Sequence, residues 1–196
     1  MIRKVPDYWD TDVYRENAEK NIRYVDKTIA DLKFKNKKIL VCGRGTTTHP
    51  NFLPRFSTPT TNIDSNLYVT VDHSPSYARF ITRKGNYAIC LIVNPEIPKK
   101  ILELGGDIYW FSPEYLDYKI PKIFFGKNSG LAAIALSSYF GAKYVLISGI
   151  ILTGQYNQFS NGAKLVFEQI NKQGTKIFSL EGNLVENITF KKWCNL

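Results

Sequence analysis

The sequence predicts an α/β fold, with an open, mainly parallel sheet and helices on both of its faces. The first observation is a series of short, continuous apolar runs, such as residues 39–42, which are typical of strands buried on both faces. The second is that stretches with apolar residues at helical spacing separate several of these runs, as right-handed βαβ crossovers require. The third is the length of 196 residues, which suits one hydrophobic core and predicts a single domain over residues 1–196.

The predicted elements start with an amphipathic helix over residues 11–33, within an N-terminal segment, 1–36, that packs on the sheet. Apolar residues recur in this helix at steps of three and four. The first strand, 39–42, follows a lysine-rich stretch, and Gly43 ends it.

Six further strands and four further helices are predicted from the same two patterns. The strands are 67–71, 87–93, 107–110, 122–125, 144–147 and 175–178, and the helices are 75–82, 95–104, 129–140 and 161–172. Residues 46–66 are rich in Thr, Pro, Asn and Ser, which predicts a loop with at most one short helix near 52–56. This loop and a second irregular stretch, 153–160, would follow the carboxyl ends of strands, where open α/β sheets bind ligands.

The composition predicts a cytoplasmic protein without a membrane span. No apolar run approaches the roughly 20 residues that cross a bilayer, and the N-terminus lacks the apolar core of a secretory signal. The 26 basic and 17 acidic residues give a net charge of +9, but the basic residues are scattered along the sequence instead of forming one block. A solvated basic surface, or a basic rim that attracts nucleotide phosphates, is therefore expected, and nucleic acid is not the expected partner.

The first candidate site is the glycine-containing segment directly after the first strand. Missing side chains let backbone amides approach a phosphate, and neighbouring hydroxyl groups add hydrogen-bond donors. The alternative is that the glycines only make a turn. The nucleotide-binding candidates of this segment are Gly43, Arg44, Gly45 and Thr46.

The second candidate site leads directly into the predicted helix 129–140. Free amides and the positive end of the helix dipole would face an incoming anion, and Lys127 adds a mobile charge. The alternative is that Asn128 or Ser129 only caps the helix. The favoured interpretation is a phosphate or carboxylate site formed by Lys127, Asn128, Ser129 and Gly130.

The third candidate site follows the strand at 67–71. Asp72 could hold a ribose hydroxyl or a metal ion, or it could cap the helix that starts at Pro75. His73 could act as a base near neutral pH, although a lone histidine in a loop is more often a solvated or packing residue. Asp72 and His73 are the candidate catalytic residues.

A longer pattern runs from the second candidate site through the following strand. Asn128-Ser129-Gly130 is followed by the small residues of the helix and by Gly141-Ala142-Lys143-Tyr144-Val145-Leu146-Ile147-Ser148-Gly149. Together with the glycines near residue 43 and with Asp72, this pattern resembles the 6-hydroxymethylpterin diphosphokinase-like proteins and the bacterial lipooligosaccharide sialyltransferases, over residues 17–187. The resemblance implies a Rossmann-like fold and adds Gly149 to the nucleotide-binding residues.

The resemblance also implies a nucleotide-dependent transferase, with glycosyl transfer from a nucleotide-activated sugar as the preferred reaction. Residues of both glycine-containing segments would cradle the phosphates of the donor, and Tyr156 or Lys127 would stabilise the leaving group. The predicted ligand is a nucleotide or a nucleotide sugar, with Mg²⁺ as a candidate cofactor.

Two alternatives stay open, because the chain departs from both families. Thr46-Thr47-Thr48 replaces a Pro-Ser-Leu sequence, Ile151 replaces an aspartate, and residues 152–161 contain no histidine where the sialyltransferases carry their catalytic base. Diphosphoryl transfer from ATP is one alternative, and it would need acidic Mg²⁺ ligands beyond Asp72. The other is a Rossmann-like module that binds a ligand without catalysis.

Overall fold

Parallel strands form a single sheet in the computed structural model, which describes residues 11–46, 54–150, 160–181 and 185–196. The nine strands in these residues are β1 (Lys38–Cys42), β2 (Arg55–Ser57), β3 (Leu67–Thr70), β4 (Asn86–Cys90), β5 (Asp107–Pro113), β6 (Lys122–Ile123), β7 (Tyr144–Ser148), β8 (Lys176–Ser179) and β9 (Glu186–Asn187). Their order in the sheet is β6-β5-β4-β3-β2-β1-β7-β8-β9. This arrangement confirms the predicted α/β class.

The strand order of the sheet reverses at β1 and β7, which form its topological switch point. From β1 the chain adds β2 to β6 on one side and then returns to place β7 on the other side, with Val41 opposite Ile147. Such a reversal opens a crevice at the carboxyl ends of the two central strands, and open α/β sheets bind ligands there.

Helices surround the sheet. Within the described residues the α-helices are α1 (Thr11–Asn21), α2 (Glu96–Glu103), α3 (Ser129–Tyr139), α4 (Ser160–Lys172) and α5 (Phe190–Cys194), and short 3-10 helices cover Ile22–Tyr24, Ile29–Asp31 and Pro75–Phe80. None of the helices in this part of the chain combines the length and the apolar character needed to cross a membrane.

Side chains pack on both faces of the sheet, and β1 shows how the sequence achieves this. Ile39 and Val41 belong to the larger core cluster, which includes the apolar residues of α3. Leu40 instead belongs to a second cluster with Trp193 of α5. The difference arises because successive side chains of a strand point to opposite faces. The crossover helix α3 is buried from residue 130 to residue 138, so its start is held firmly against the carboxyl edge of the sheet.

The N-terminal helix is shorter than predicted, because α1 ends at Asn21 and not at Lys33. The side-chain amide of Asn21 donates hydrogen bonds to the carbonyl oxygens of Leu91 and Val93, each at 2.8 Å, and these bonds hold the helix end beside the segment after β4. Thr28 then pairs with Trp110 as an isolated parallel bridge. These long-range contacts override a helical apolar spacing that continues beyond residue 21.

A strand lies in the region predicted as a loop. The prediction of a short helix near 52–56 is wrong where the structure describes these residues. Arg55–Ser57 form β2 and are buried throughout. A three-residue strand is too short to give a recognisable apolar run. The same reason explains why β9 and α5 were not predicted. Residues 47–53 and 151–159 lie outside the described residues.

Candidate functional site

A cleft of about 730 Å³ lies at the carboxyl edge of the sheet, where the strand order reverses. Loops that follow several strands and the start of α3 line it. It brings together most of the predicted site residues, namely Gly43, Arg44, Gly45, Asp72, His73, Lys127, Asn128, Ser129, Gly130 and Gly149. Thr46 is not among the lining residues, and Tyr156 lies outside the described residues.

The segment 43–46, called here the β1 loop, is held by the turn that follows β7. The amide of Gly43 donates to the carbonyl oxygen of Ser148 at 2.7 Å, and the amide of Gly45 donates to that of Gly149 at 2.9 Å. The Thr46 hydroxyl donates to the carbonyl oxygens of Gly43 and Ser148, at 2.8 and 2.9 Å. These groups were predicted to bind a phosphate, and in the structure they bond to the protein's own backbone.

Close packing explains why residues 43 and 149 are glycines. A Cβ atom added to Gly43 would lie 2.5 Å from the carbonyl oxygen of Gly149. Gly149 has a φ of +65°, and a Cβ atom there would overlap the backbone and side chain of Thr46. The two loops can therefore approach each other only without side chains at these positions.

Glu181 supports the β7 turn from the end of β8. Its carboxylate accepts a hydrogen bond from the Ser148 hydroxyl at 2.5 Å and another from the Gly149 amide at 3.0 Å. Glu181 was not among the predicted site residues, because nothing in the local sequence around position 181 marks it as a neighbour of the turn. The signal is the pairing of β7 with β8, which places the ends of the two strands side by side.

The segment 126–130, called here the α3 loop, begins the buried crossover helix. The Asn128 side-chain oxygen accepts hydrogen bonds from the amides of Gly130 at 2.7 Å and Leu131 at 3.3 Å, so Asn128 is the helix cap. The Ser129 hydroxyl accepts a bond from the Val71 amide at 3.1 Å, which joins α3 to the end of β3. Asn128 therefore has the helix-capping role that was the alternative to ligand binding.

Some backbone amides of the two loops keep their capacity to bind a ligand. Within the described residues, the amides of Arg44, Asn128 and Ser129 have no hydrogen-bond partner. All three residues line the cleft, Arg44 in the β1 loop and the other two in the α3 loop. The number of donors that the backbone can offer to an anion is thus smaller than the glycine-rich sequences predict.

Lys127 combines two unfavourable features at the edge of this cleft. Its φ of +72° lies in the left-handed region and is the one such value for a non-glycine residue in the described part of the chain. Burial lowers the pKa of its ammonium group, because partial removal of water disfavours the charged form. Gly126 precedes it with a φ of +53°, pressed against the backbone of Gly162. The backbone around Lys127 is therefore fixed from both sides.

Asp72 and His73 reach the same cleft from the end of β3. The Asp72 carboxylate accepts a hydrogen bond from the Ser74 amide at 2.9 Å, which makes a local turn, and the 3-10 helix at Pro75 begins without a side-chain cap bond. His73 is exposed, and its ring packs edge-on against Tyr14 at 5.0 Å. Both side chains lie where a bound ligand could contact them.

Several hydroxyl-bearing residues of the cleft were not predicted. They are Tyr14, Thr58, Thr60 and Tyr77. Thr58 and Thr60 follow β2, so they were missed together with that strand. The Tyr77 hydroxyl lies close to Thr70, Ser129 and Thr60, and burial raises the pKa of Tyr77 to about 12. Tyr77, like any tyrosine below its pKa, is neutral near physiological pH and offers a hydrogen-bonding hydroxyl group without charge.

The described residues do not form a metal centre. They contain no group of three His, Cys, Asp or Glu side chains that could share an ion. Asp72 is the one carboxylate among the described lining residues, and one of its oxygens already accepts the Ser74 amide. A Mg²⁺ ion, which is usually bound by one or two carboxylates together with substrate phosphates, would find few protein ligands here.

The chain was compared with protein-family models and with curated proteins. No protein-family model matches the chain, and no curated protein matches its sequence. The function is therefore inferred from the residues that line the cleft.

Proposed function

We propose that this protein binds a nucleotide-activated sugar in the cleft and acts as a nucleotide-dependent glycosyltransferase. The observation that carries the proposal is Lys127, a partly desolvated cation held at a positive φ beside the start of a buried helix. Strained, desolvated groups cost stability, and they concentrate at functional sites. A bound phosphate would offset the desolvation of the ammonium group.

The phosphates of the donor fit between the β1 loop and the α3 loop. Lys127 supplies a positive charge there, and the amides of Arg44 and Ser129 supply hydrogen bonds. The positive end of the α3 dipole adds to the favourable field. The cleft volume of about 730 Å³ lies within the range usual for small-molecule sites.

The sugar and the nucleoside would meet the uncharged hydroxyl groups of the cleft. Thr58, Thr60 and Tyr77 line it, and all three hydroxyl groups are uncharged near physiological pH. Hydroxyl groups both donate and accept hydrogen bonds, so they suit the hydroxyl groups of a sugar or a ribose.

In the proposed reaction an acceptor hydroxyl attacks the anomeric carbon of the sugar. The new C–O bond forms as the bond to the donor phosphate breaks, and the bonding electron pair leaves with the phosphate oxygen. Lys127 stabilises the charge that develops on this oxygen. Asp72 or His73 takes the proton from the acceptor hydroxyl.

Diphosphoryl transfer from ATP is less well supported by the cleft. That reaction relies on Mg²⁺ held by acidic residues, and Asp72 is the one carboxylate among the described lining residues. In the proposed glycosyl transfer, Lys127 stabilises the leaving phosphate. A protein that binds a nucleotide without turnover would bind the phosphates with the same residues. Only an activity assay distinguishes this alternative from a glycosyltransferase.

A binding experiment tests the first half of the proposal. The thermal midpoint of the protein is measured with CMP-, UDP- and GDP-sugars and with ATP, each with and without Mg²⁺. At least one nucleotide sugar should raise the midpoint, and Lys127→Ala should weaken its binding by about tenfold or more, because a charge-assisted contact is lost. Lys164→Ala removes the same charge from an exposed position of α4 outside the cleft lining and should leave binding unchanged.

Failure of every nucleotide to stabilise the wild-type protein would refute the proposed site. If a nucleotide sugar binds, Asp72→Asn and His73→Gln test the second half. One of them should abolish sugar transfer or donor hydrolysis while binding is retained. Binding without turnover by the wild-type protein, over a panel of sugar acceptors, would instead establish the non-catalytic module.

A further inference from the structure

Lysines gather at the amino edge of the sheet, on the side opposite the cleft. In the register of the sheet, Lys38 of β1 is opposite Tyr144 of β7, and Tyr144 is opposite Lys176 of β8. The Lys143 amide donates to the carbonyl oxygen of Lys37, and the Lys176 amide donates to that of Lys143. Because neighbouring strands lie roughly 4.8 Å apart, these four lysines form a short row.

The C-terminal helix α5 contacts one lysine of this row. The Lys38 ammonium group donates to the carbonyl oxygen of Cys194 at 2.6 Å and lies 5.8 Å from the centroid of the Trp193 ring. Trp193 is fully buried, which fixes the helix on the sheet. The lysine edge is defined here as Lys37, Lys38, Lys143 and Lys176. Lys38 and Lys176 are the first residues of β1 and β8, and Lys37 and Lys143 directly precede β1 and β7.

Described carboxylates do not neutralise the lysine edge. Within the described residues, no ion pair within 4 Å involves any of its four lysines, whereas lysines near β5 and β6, on the far side of the same sheet, are paired. Lys27 lies 2.8 Å from Asp107, and Lys122 lies 3.3 Å from Asp117. Like charges on neighbouring strands repel each other, so an unpaired row lowers stability unless something anionic binds it.

We propose that the lysine edge docks the protein on an anionic lipid surface. The basic residues at the amino ends of β1, β7 and β8 are lysines, which act as point charges and lack the planar fork that arginine uses in nucleic-acid recognition. Aromatic side chains accompany them. Tyr144 lies within the row, and Tyr139, at the end of α3, is 43% exposed. Tyrosine and lysine together suit the headgroup region of a bilayer.

The lysine edge lies away from the cleft. The nine described strands are parallel, so the lysine edge and the cleft lie at opposite ends of the same strands. A surface bound at the amino edge leaves the cleft open to the solvent. The docking proposal does not depend on which reaction the cleft performs.

Vesicle co-sedimentation tests the proposal with the full chain. Vesicles of phosphatidylglycerol and phosphatidylcholine in equal parts are compared with vesicles of phosphatidylcholine alone, at low and at physiological salt. The wild-type protein should sediment with the anionic vesicles only, and less so as the salt concentration rises. The triple variant Lys37→Gln, Lys143→Gln, Lys176→Gln should bind about 100-fold more weakly, with a contribution of roughly fivefold from each lysine.

A matched variant controls for net charge. Lys27→Gln, Lys100→Gln, Lys122→Gln removes the same three charges from lysines that are paired with carboxylates, and it should retain vesicle binding. Equal weakening by both triple variants would overturn the proposal, as would the absence of wild-type binding to anionic vesicles at low salt. Binding of duplex DNA or RNA in preference to the vesicles would overturn it too and would assign the edge to nucleic acid. Circular dichroism and thermal midpoints confirm that the variants are folded.

Discussion

The β1 loop and the α3 loop both place glycines at the carboxyl edge of the sheet, but they use their backbone groups differently. In the β1 loop, the amides of Gly43 and Gly45 bond to the turn after β7. In the α3 loop, the Asn128 side chain accepts hydrogen bonds from the Gly130 and Leu131 amides, and Lys127 carries its positive charge on a backbone with a left-handed φ. Two amides of the β1 loop therefore hold two loops of the protein together, and the α3 loop supplies the charge and more of the donors of the candidate phosphate site.

The comparison teaches that the partners of the amides decide what a glycine loop can bind. Both loops were predicted as phosphate sites from the same physical argument, that missing side chains expose the backbone. That argument does not consider whether another loop of the protein already bonds to the exposed amides. Substitutions in the two loops and in their supports test this contrast.

Gly149→Ala should destabilise the protein strongly, because it separates the β1 loop from the β7 turn. The φ of +65° disfavours a side chain, and the new Cβ atom would overlap Thr46. We expect a loss of about 3 kcal/mol or more in the free energy of unfolding, measured by urea denaturation. Gly141→Ala is the matched control, since Gly141 has a φ of +79° and no neighbour within 4 Å, and it should cost about 1 kcal/mol. Equal costs for the two variants would show that the loop contact is unimportant.

Glu181→Ala should have a smaller effect of the same kind. It removes the acceptor of the hydrogen bonds from the Ser148 hydroxyl and the Gly149 amide. Glu181 is exposed, so water replaces part of the lost interaction, and we expect a loss of about 1 to 2 kcal/mol in urea denaturation. Glu186→Ala, at another exposed glutamate of the same sheet region, should change stability by less than about 0.5 kcal/mol. Indistinguishable values would remove Glu181 from the support of the β1 loop.

Asn128→Ala tests the capping role in the α3 loop. The substitution leaves the Gly130 and Leu131 amides without their acceptor and should cost about 1 kcal/mol of unfolding free energy. Asn128→Asp keeps the acceptor and adds a negative charge at the helix start, so it should retain the stability of the wild type. The same Asp variant should weaken the binding of a nucleotide, because its charge repels the phosphates. Unchanged nucleotide affinity would place the phosphates away from this loop.

Lys127→Gly should have the smallest effect on stability and the opposite sign. Glycine adopts a φ of +72° without steric cost, so relief of strain should stabilise the protein by about 0.5 kcal/mol. Nucleotide binding should fall as far as it does in Lys127→Ala, because both variants remove the ammonium group. A clear loss of stability in Lys127→Gly, measured by urea denaturation, would show that the lysine is kept for the fold and not for a ligand.

The elements that sequence analysis predicted well are those whose pattern is local and repeated. The strands β1, β7 and β8 appear as continuous apolar runs, and α3 and α4 appear as apolar residues at helical spacing. The N-terminal helix was predicted too long, because the contacts of Asn21 and Thr28 with distant segments end it early. β2 was missed, since three residues do not make a pattern.

The sequence predicted which residues line the cleft better than it predicted what their polar groups bond to. Parallel strands bring their carboxyl ends to one edge, so the loops after β1, β3 and β7 were expected to meet, and their residues line one cleft. The hydroxyl groups of Thr58, Thr60 and Tyr77 were not expected. The hydrogen bonds that the β1-loop amides donate to the turn after β7 could not be predicted either, because the acceptor carbonyl groups lie about a hundred residues away in the chain.

By itself, the sequence determined the α/β class, the parallel sheet and the edge at which the cleft forms, because these follow from short-range apolar patterns and from the connection rules of parallel strands. The tertiary structure was needed to show which of the cleft's amides are already bonded, that Glu181 supports the β7 turn, and that Lys37, Lys143 and Lys176 lie together at the opposite edge. Hydrogen bonds act over about 3 Å and charge repulsion over about 10 Å, and strand pairing brings within these distances residues that the sequence keeps far apart.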